Sequence, residues 1–180
     1  TSDRHELLNI YHYNKSEKKS ILKENITIHK NAIIDCSFMS ISELQDFIEK
    51  EISDCKEKSM LLSLHLKASM MKVSDPIIFG HVLKVFFKNF IEKNSTTLEK
   101  ISVNFNSGLS NLFEKINQLD NPTKEKLVNE IELDIENGPD LAMVNSEKNI
   151  TNFHIPSDMI IDASMPAMIK SSGKMWNKNG

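Results

Sequence analysis

The chain contains the sequence MLLSLHLK at residues 60–67 and, after a short polar segment, DPIIFGHVLKVFFKNFI at residues 75–91. The first run is mostly apolar and bounded by charged residues, which is typical of a strand covered on both faces in a parallel sheet. The second run opens with Asp75 as an N-cap and Pro76 at the first helical position, which predicts a largely buried helix over residues 77–91. Because parallel neighbours need crossover connections, these runs predict an α/β layered domain with a mainly parallel sheet flanked by helices.

The sequence before this strand predicts a further helix and a hairpin. Ser40 begins a capping-box pattern, and apolar residues then recur at helical intervals, which predicts a helix over residues 41–55. Two short β-type runs at residues 26–29 and 32–34 favour a hairpin. Residues 1–20 are polar and have no sustained apolar pattern, so we expect an irregular arm there.

The alternation of strands and helices continues after residue 91. The ends of the predicted helices and strands are marked by turn and cap residues such as glycine, proline and asparagine. The predicted elements are a strand over residues 101–105, a helix over 109–116, a helix from Asn121-Pro122 to Gly138-Pro139, short buried strands over 141–144 and 159–161, and a helix that begins near Pro166. We therefore expect residues 1–180 to form a single α/β domain.

Composition limits the classes of function. The 180 residues suffice for one hydrophobic core, and a net charge of −3 argues against a nucleic acid partner. No apolar run reaches the roughly 18 residues of a membrane span, and no secretory leader is recognisable, so we expect no membrane partner and a cytoplasmic location. The chain starts at Thr1 and stops at Gly180 without a closing element, so we expect it to be an interior part of a longer protein.

Most of the common site motifs are missing from the sequence. Cys36 and Cys55 lack the spacing of a redox or zinc motif, and we expect two inert thiols in a reducing compartment. The six histidines show no metal-binding spacing. Neither GxGxxG nor a P-loop is found, so no cofactor-binding residue is predicted from the motifs.

Two polar residues directly follow predicted buried strands. Lys67 follows residues 60–66, and Asp162 follows residues 159–161. In open α/β sheets ligands bind outside the carboxyl ends of the strands, so an amine and a carboxylate at this edge are candidates for one site. The alternative is that each is simply the first solvated residue after a strand, and position alone favours that reading. Weaker candidates of the same kind are Lys72, Asp75 and Asp158.

Five stretches resemble monomeric-type NADP-dependent isocitrate dehydrogenases, in the same order along the chain. They are LLSLHLKASMMKVSDPI at residues 61–77, LAMVNS at 141–146, HIPSD at 154–158, DASMPAMI at 162–169 and SGKMW at 172–176. Ordered runs of this length do not recur by chance. The resemblance extends from about residue 33 to residue 176. Lys170 stands where the family pattern has an arginine, so the role of that arginine is not transferred to this chain.

The resemblance implies an enzyme that oxidises the 2-hydroxyl of isocitrate by hydride transfer to NADP and decarboxylates the product to 2-oxoglutarate, with Mg²⁺ or Mn²⁺. It matches Asp162 to a metal-ligand aspartate and Lys67 to a catalytic lysine that contacts the substrate. The family's other metal carboxylates, the tyrosine partner of the lysine, the substrate-binding arginines and the NADP-binding residues have no counterpart here.

We therefore expect the chain to correspond to half of the family's large α/β domain and to be inactive alone. The complete protein is expected to be monomeric. The isolated chain should expose apolar surface where the rest of the enzyme packs, and hence should self-associate. The alternative is a non-catalytic α/β binding or interaction module that has diverged from this enzyme.

Overall fold

The computed structural model describes residues 1–66, 68, 70–156, 172, 175 and 177–179. Within these residues the chain is α/β, with five α-helices and two small two-stranded antiparallel sheets. It divides into two compact units, Thr1–Met39 and Ser40–Gly180. The predicted strand over residues 159–161 and the helix predicted near Pro166 lie outside the described residues. The single domain over residues 1–180 stays a prediction.

The first unit is built around an antiparallel ribbon of β1 (Glu6–Tyr13) and β2 (Lys19–Ile28). The Asn14 side chain stabilises the turn between them, because its Oδ1 accepts hydrogen bonds from the backbone N–H groups of Ser16 at 3.0 Å and Lys18 at 2.9 Å. The irregular arm predicted for residues 1–20 is therefore wrong. Its strand pattern was hidden because most of the ribbon is exposed, and no buried face imposes apolar alternation.

The predicted hairpin between residues 26–29 and 32–34 is also wrong. Residues 26–28 belong to β2, whose partner is β1, and residues 32–34 form no strand. Asn31 has a positive φ of 67° and makes a turn, but the chain then continues as irregular structure. Asn31 donates its backbone N–H to the Ser2 carbonyl at 2.8 Å, so the turn closes onto the N-terminal residues instead.

The second unit is mainly helical. Its helices are α1 (Ile41–Glu57), α2 (Ser74–Phe86), α3 (Lys88–Lys100), α4 (Gly108–Ile116) and α5 (Asn121–Asn137), with a 3-10 turn at Phe105–Ser107 before α4. The helices predicted over residues 41–55 and 109–116 are confirmed. Ser40 caps α1 as predicted, since its side chain accepts the backbone N–H of Glu43.

Two of the predicted helix starts need correction. The helix expected over residues 77–91 begins at Ser74, and Asp75 lies inside its first turn, only 5% exposed, where it is not the N-cap. A non-helical residue at Phe87 (φ −100°, ψ 28°) then separates α2 from α3. The N-cap of α5 is Asp120, because its carboxylate accepts the backbone N–H of the residue three positions later at 3.1 Å.

The core of the second unit lies between α2, α4 and α5. Its members with no exposed surface are Leu83, Phe87, Leu109, Leu112, Ile116, Ile131 and Phe153. These side chains come from four helices or helix junctions and from the segment after α5, so the core joins distant parts of the sequence. At about 1.5–3 kcal/mol for each fully buried large apolar side chain, this cluster supplies the main stabilising term of the unit.

The two predicted strands around this core have other structures. Residues 60–66 form only one parallel bridge, Leu62 to Leu141, and residues 101–105 form a turn that leads into the 3-10 segment. Their alternating apolar side chains pack onto the helical cluster as irregular segments. A short apolar run can be buried either as a strand of a sheet or as an irregular segment, so the apolar pattern alone wrongly predicted strands here.

A small sheet follows α5. It consists of β3 (Met143–Asn145) and β4 (Ile150–Thr151), which pair antiparallel. β3 overlaps the strand predicted over residues 141–144. Among the described residues, no helix combines the length and apolar character needed to cross a membrane.

Candidate functional site

The two predicted site residues, Lys67 and Asp162, lie outside the described residues. The residues directly before Lys67 are described, and the chain before Asp162 is described as far as residue 156. Parts of these two segments are neighbours. The backbone N–H of Leu62 donates to the Asp140 carbonyl at 2.7 Å, and the N–H of Ala142 donates to the Leu62 carbonyl at 2.9 Å. The structure therefore brings Leu62 against residues 140–142.

A single amide side chain makes a second connection between these segments. Asn152 donates from Nδ2 to the Ser63 hydroxyl at 2.9 Å and to the Leu64 carbonyl at 3.2 Å. Its backbone N–H also donates to the Ala142 carbonyl at 2.9 Å. The Oδ1 atom of the same amide is buried and has no hydrogen-bond partner among the described residues. Asn152 was not among the residues predicted from the sequence. The sequence shows only that it is a polar residue close to the apolar Ile150 and Phe153.

The N-terminus of α4 anchors the next part of this segment. Its first backbone N–H groups donate to the chain before Asp162, from Leu109 to the Phe153 carbonyl and from Ser110 to the His154 carbonyl, each at 2.9 Å. Gly108 makes this approach possible, because its φ is +82° and a side chain there would overlap the His154 carbonyl. Helix α4 thus fixes residues 153–154 relative to the core.

His154 is a half-buried histidine beside these segments. Its Nδ1 lies 3.0 Å from the Thr151 backbone nitrogen and 3.2 Å from the Thr151 carbonyl oxygen, and its ring stacks on Phe113 with 5.8 Å between centroids. Burial lowers the pKa of the His154 imidazole, and the contact of Nδ1 with the Thr151 carbonyl opposes this shift, because a carbonyl accepts a hydrogen bond from the protonated ring. The neutral imidazole is therefore the form that suits this packed position.

We predict that replacing His154 with glutamine flattens the dependence of stability on pH. A histidine whose pKa is lower in the folded state contributes stability that is fully present above the unfolded pKa of about 6.5, and this stability is lost as pH falls through the folded value. The measurement is the free energy of unfolding in urea between about pH 5 and 8. Parallel pH curves for the two proteins would contradict the prediction.

His81 provides the internal reference for this experiment. Burial, and to a smaller extent Lys84, lower the pKa of His81, so it also weakens the fold on acidification. Because His81 remains in both proteins, the difference between the two curves isolates His154.

The weaker candidates do not gather at one place. Lys72 is exposed, Asp75 is buried in the first turn of α2, and Asp158 lies outside the described residues. Cys36 is exposed and Cys55 is buried, and both are free thiols. In the described part of the chain, no group of three or more histidine, cysteine, aspartate or glutamate side chains is placed to hold a metal ion.

Comparison with known proteins places these segments in a family context. The family model for monomeric isocitrate dehydrogenase matches residues 1–180, so the match includes the ribbon as well as the stretches from residue 33 onward. The chain is 45% identical over 166 residues to isocitrate dehydrogenase (NADP) of Azotobacter vinelandii, covering 92% of this chain and 22% of that protein. It is 44% identical over 173 residues to isocitrate dehydrogenase (NADP) 2 of Colwellia maris, covering 96% of this chain and 23% of that protein.

A third relative gives the same result. The chain is 43% identical over 166 residues to isocitrate dehydrogenase (NADP) 2 of Mycobacterium tuberculosis, covering 92% of this chain and 22% of that protein. The chain thus spans less than a quarter of the length of these relatives. On the match over its whole length, this chain belongs to the monomeric isocitrate dehydrogenase family.

Proposed function

We propose that this chain is part of an NADP-dependent isocitrate dehydrogenase that converts isocitrate to 2-oxoglutarate with Mg²⁺ or Mn²⁺. The observation that carries the proposal is the family match over residues 1–180, together with relatives named as NADP isocitrate dehydrogenases. A supporting observation is that residues 62–64, which lie shortly before Lys67, are joined by backbone and side-chain hydrogen bonds to residues 140–142 and to Asn152, which lies ten positions before Asp162. Two residues can act in one site only if the chain segments that carry them lie close together, and these hydrogen bonds are consistent with that requirement.

We propose different roles for the two residues. Asp162 offers carboxylate oxygen, the ligand type that hard divalent cations select. When bound, such a cation supplies electrostatic stabilisation to negative charge that develops on the substrate oxygens. Lys67 contacts the substrate and takes part in protonating the enol that remains after decarboxylation. A lysine near a cation is less stable as ammonium, which brings its pKa closer to the range useful for proton transfer.

The chain alone does not supply a complete site under this proposal. The described residues contain no three-ligand metal group, and the sequence has no glycine-rich dinucleotide loop. The remaining metal ligands and the NADP-binding residues then come from the part of the enzyme that this chain does not span. The complete protein is proposed to act as a cytoplasmic monomer without nucleic acid or membrane partners, and residues 1–180 alone are proposed to be inactive.

We also propose that the mainly parallel sheet belongs to the complete protein. The parallel bridge from Leu62 to Leu141 supports this, because it aligns two apolar segments in the parallel sense. Residues 62–66 alternate partly buried leucines with the more polar Ser63 and His65, as a strand at the side of a larger sheet does. Further strands would then extend this pairing.

The test of the function is an assay of the full-length protein. NADPH formation from isocitrate and NADP is followed by absorbance in the presence and absence of Mg²⁺, and residues 1–180 alone serve as the control. We expect Mg²⁺-dependent turnover by the complete protein and none by the control. A complete protein that folds but does not oxidise isocitrate would favour the non-catalytic interaction module.

We predict that the isolated chain self-associates through the β1–β2 ribbon and that Ile21→Lys weakens this association. Ile21 is 52% exposed and pairs with Tyr11. A two-stranded ribbon has unpaired backbone groups along both edges, and with apolar side chains in solvent it tends to bind a second copy of the chain. The measurement is the mass in solution by sedimentation over a concentration series. The control is Ser20→Lys, which adds the same charge at the adjacent position of β2, where the side chain points to the opposite face of the ribbon. Strictly monomeric wild-type protein at high concentration would contradict the prediction.

A further inference from the structure

We propose that Asn152 is a positioning residue that sets the spacing of the segments leading to Lys67 and Asp162. This inference rests on the proposed function. Asn152 acts through the chain segments that it joins. Leu64 precedes Lys67 by three residues, and Asn152 precedes Asp162 by ten. We therefore expect a shift at the junction to displace Lys67 first, because Lys67 is the nearer of the two in sequence.

The orientation of the Asn152 amide is fixed by its partners. The Leu64 carbonyl can only accept, so the NH₂ group must face it at 3.2 Å, and the same group reaches the Ser63 hydroxyl at 2.9 Å. The Ser63 Oγ also lies 2.6 Å from His65 Nε2, so this hydroxyl can accept from Asn152 while it donates to the histidine. The three side chains form one short chain of hydrogen bonds beside residues 62–66.

The buried Oδ1 atom of Asn152, which has no hydrogen-bond partner among the described residues, sets this amide apart from one that only fills space. An unpaired buried acceptor is costly, and an apolar residue of similar shape would remove that cost. Asn152 nevertheless uses both Nδ2 hydrogens to hold two positions of the opposite segment. A geometric role in the site explains an amide that packing alone would not select.

The test uses the complete enzyme and the variant Asn152→Leu. We expect kcat/KM for isocitrate to fall by roughly 10- to 100-fold, the scale of a displacement of reacting groups by about an ångström. The thermal midpoint should fall moderately, because the Leu64 carbonyl loses its donor while removal of the unpaired Asn152 oxygen offsets part of that cost. If this variant does not fold, Ser63→Ala removes one acceptor with a smaller perturbation and should lower kcat/KM by about threefold.

Asn94→Leu is the matched control. Asn94 is also a buried amide whose Nδ2 donates to a backbone carbonyl, that of Phe90 at 3.0 Å, and to a side chain, that of Glu130 at 2.6 Å. It connects α3 to α5, and neither of these two hydrogen bonds involves the segments of the proposed site. We expect Asn94→Leu to lower the thermal midpoint while kcat/KM stays within about twofold, so the loss in kcat/KM distinguishes Asn152→Leu from this control.

A combined variant separates this inference from the proposed function. If Asn152 acts by placing Lys67, adding Asn152→Leu to Lys67→Met should lower the rate much less than it does in the wild-type background. A complete wild-type protein that does not oxidise isocitrate would overturn the proposed function, and full activity of Lys67→Met would overturn the role proposed for Lys67. An impaired Lys67→Met together with a fully active, folded Asn152→Leu enzyme would overturn the positioning role alone, as would strictly additive effects of the two substitutions.

Discussion

Replacing Asp162 with asparagine in the full-length protein is expected to abolish isocitrate oxidation almost completely. The amide keeps the shape of the carboxylate but removes a unit of negative charge, so it weakens both cation binding and the stabilisation of charge on the substrate. Loss of one such electrostatic contact typically costs roughly 10²- to 10³-fold in rate, and weaker metal binding adds to this loss. The measurements are steady-state rates across a Mg²⁺ titration and calorimetric Mn²⁺ binding without substrate.

Asp46→Asn provides the control for this experiment. Asp46 is exposed on α1, and the same substitution there tests for non-specific effects of lost charge. We expect its rate and metal affinity to match those of the unchanged protein. An Asp162→Asn protein with normal rate and normal Mn²⁺ affinity would remove the metal-ligand assignment.

Replacing Lys67 with methionine is expected to lower the rate by roughly 10²- to 10⁴-fold, the usual contribution of a positioned general acid or base. Methionine keeps the length and apolar stem of lysine but cannot carry a proton. Metal affinity should stay unchanged, because no cation ligand is lost. The same Mg²⁺ titration therefore distinguishes Lys67→Met, which lowers the plateau, from Asp162→Asn, which also shifts the midpoint.

Lys84→Met controls for the loss of a surface amine, since Lys84 is exposed on α2. We expect it to retain the full rate. Equal losses in Lys67→Met and Lys84→Met would show that the effect does not come from proton transfer at Lys67.

Helix positions were predictable from sequence where the signals were local. The Ser40 cap and the Gly108 and Gly138 boundaries gave helices close to those observed, because each cap satisfies backbone groups within a few residues of itself. Asp75-Pro76 misled for the same reason. The local pattern matched a helix start, but the segment before it already folds as a turn, so α2 begins at Ser74, three residues before the predicted start at residue 77, and buries Asp75.

Strand positions were less predictable because a strand needs a partner from elsewhere. Residues 101–105 alternate like a strand, yet their apolar side chains are satisfied by the helical core, and no neighbouring strand competes for them among the described residues. The β1–β2 ribbon shows the converse. Its two strands pair over much of their length, but neither has the buried face that would produce an alternating apolar pattern in the sequence.

The prediction of the candidate site depends on motifs and not on geometry. Lys67 and Asp162 stay predictions, which rest on ordered stretches similar to a family, whereas position after a strand alone favours a plain solvated residue for each. Asn152 carried no motif. Its importance depends on Ser63 and Leu64, which lie 89 and 88 positions away in sequence, and no pattern in the chain reveals such a pairing.

The parallel pairing of Leu62 with Leu141 also has a consequence during synthesis on the ribosome. The two partners are 79 residues apart, so at about 5 to 20 residues per second the apolar segment 60–66 waits for roughly 4 to 16 s before its partner emerges. Over that interval it is an aggregation-prone stretch in a nascent chain. Charged residues bracket it, with Lys56-Glu57-Lys58 before it and Lys67 after it. We expect these flanking charges to act as gatekeepers that keep nascent chains apart until the partner arrives.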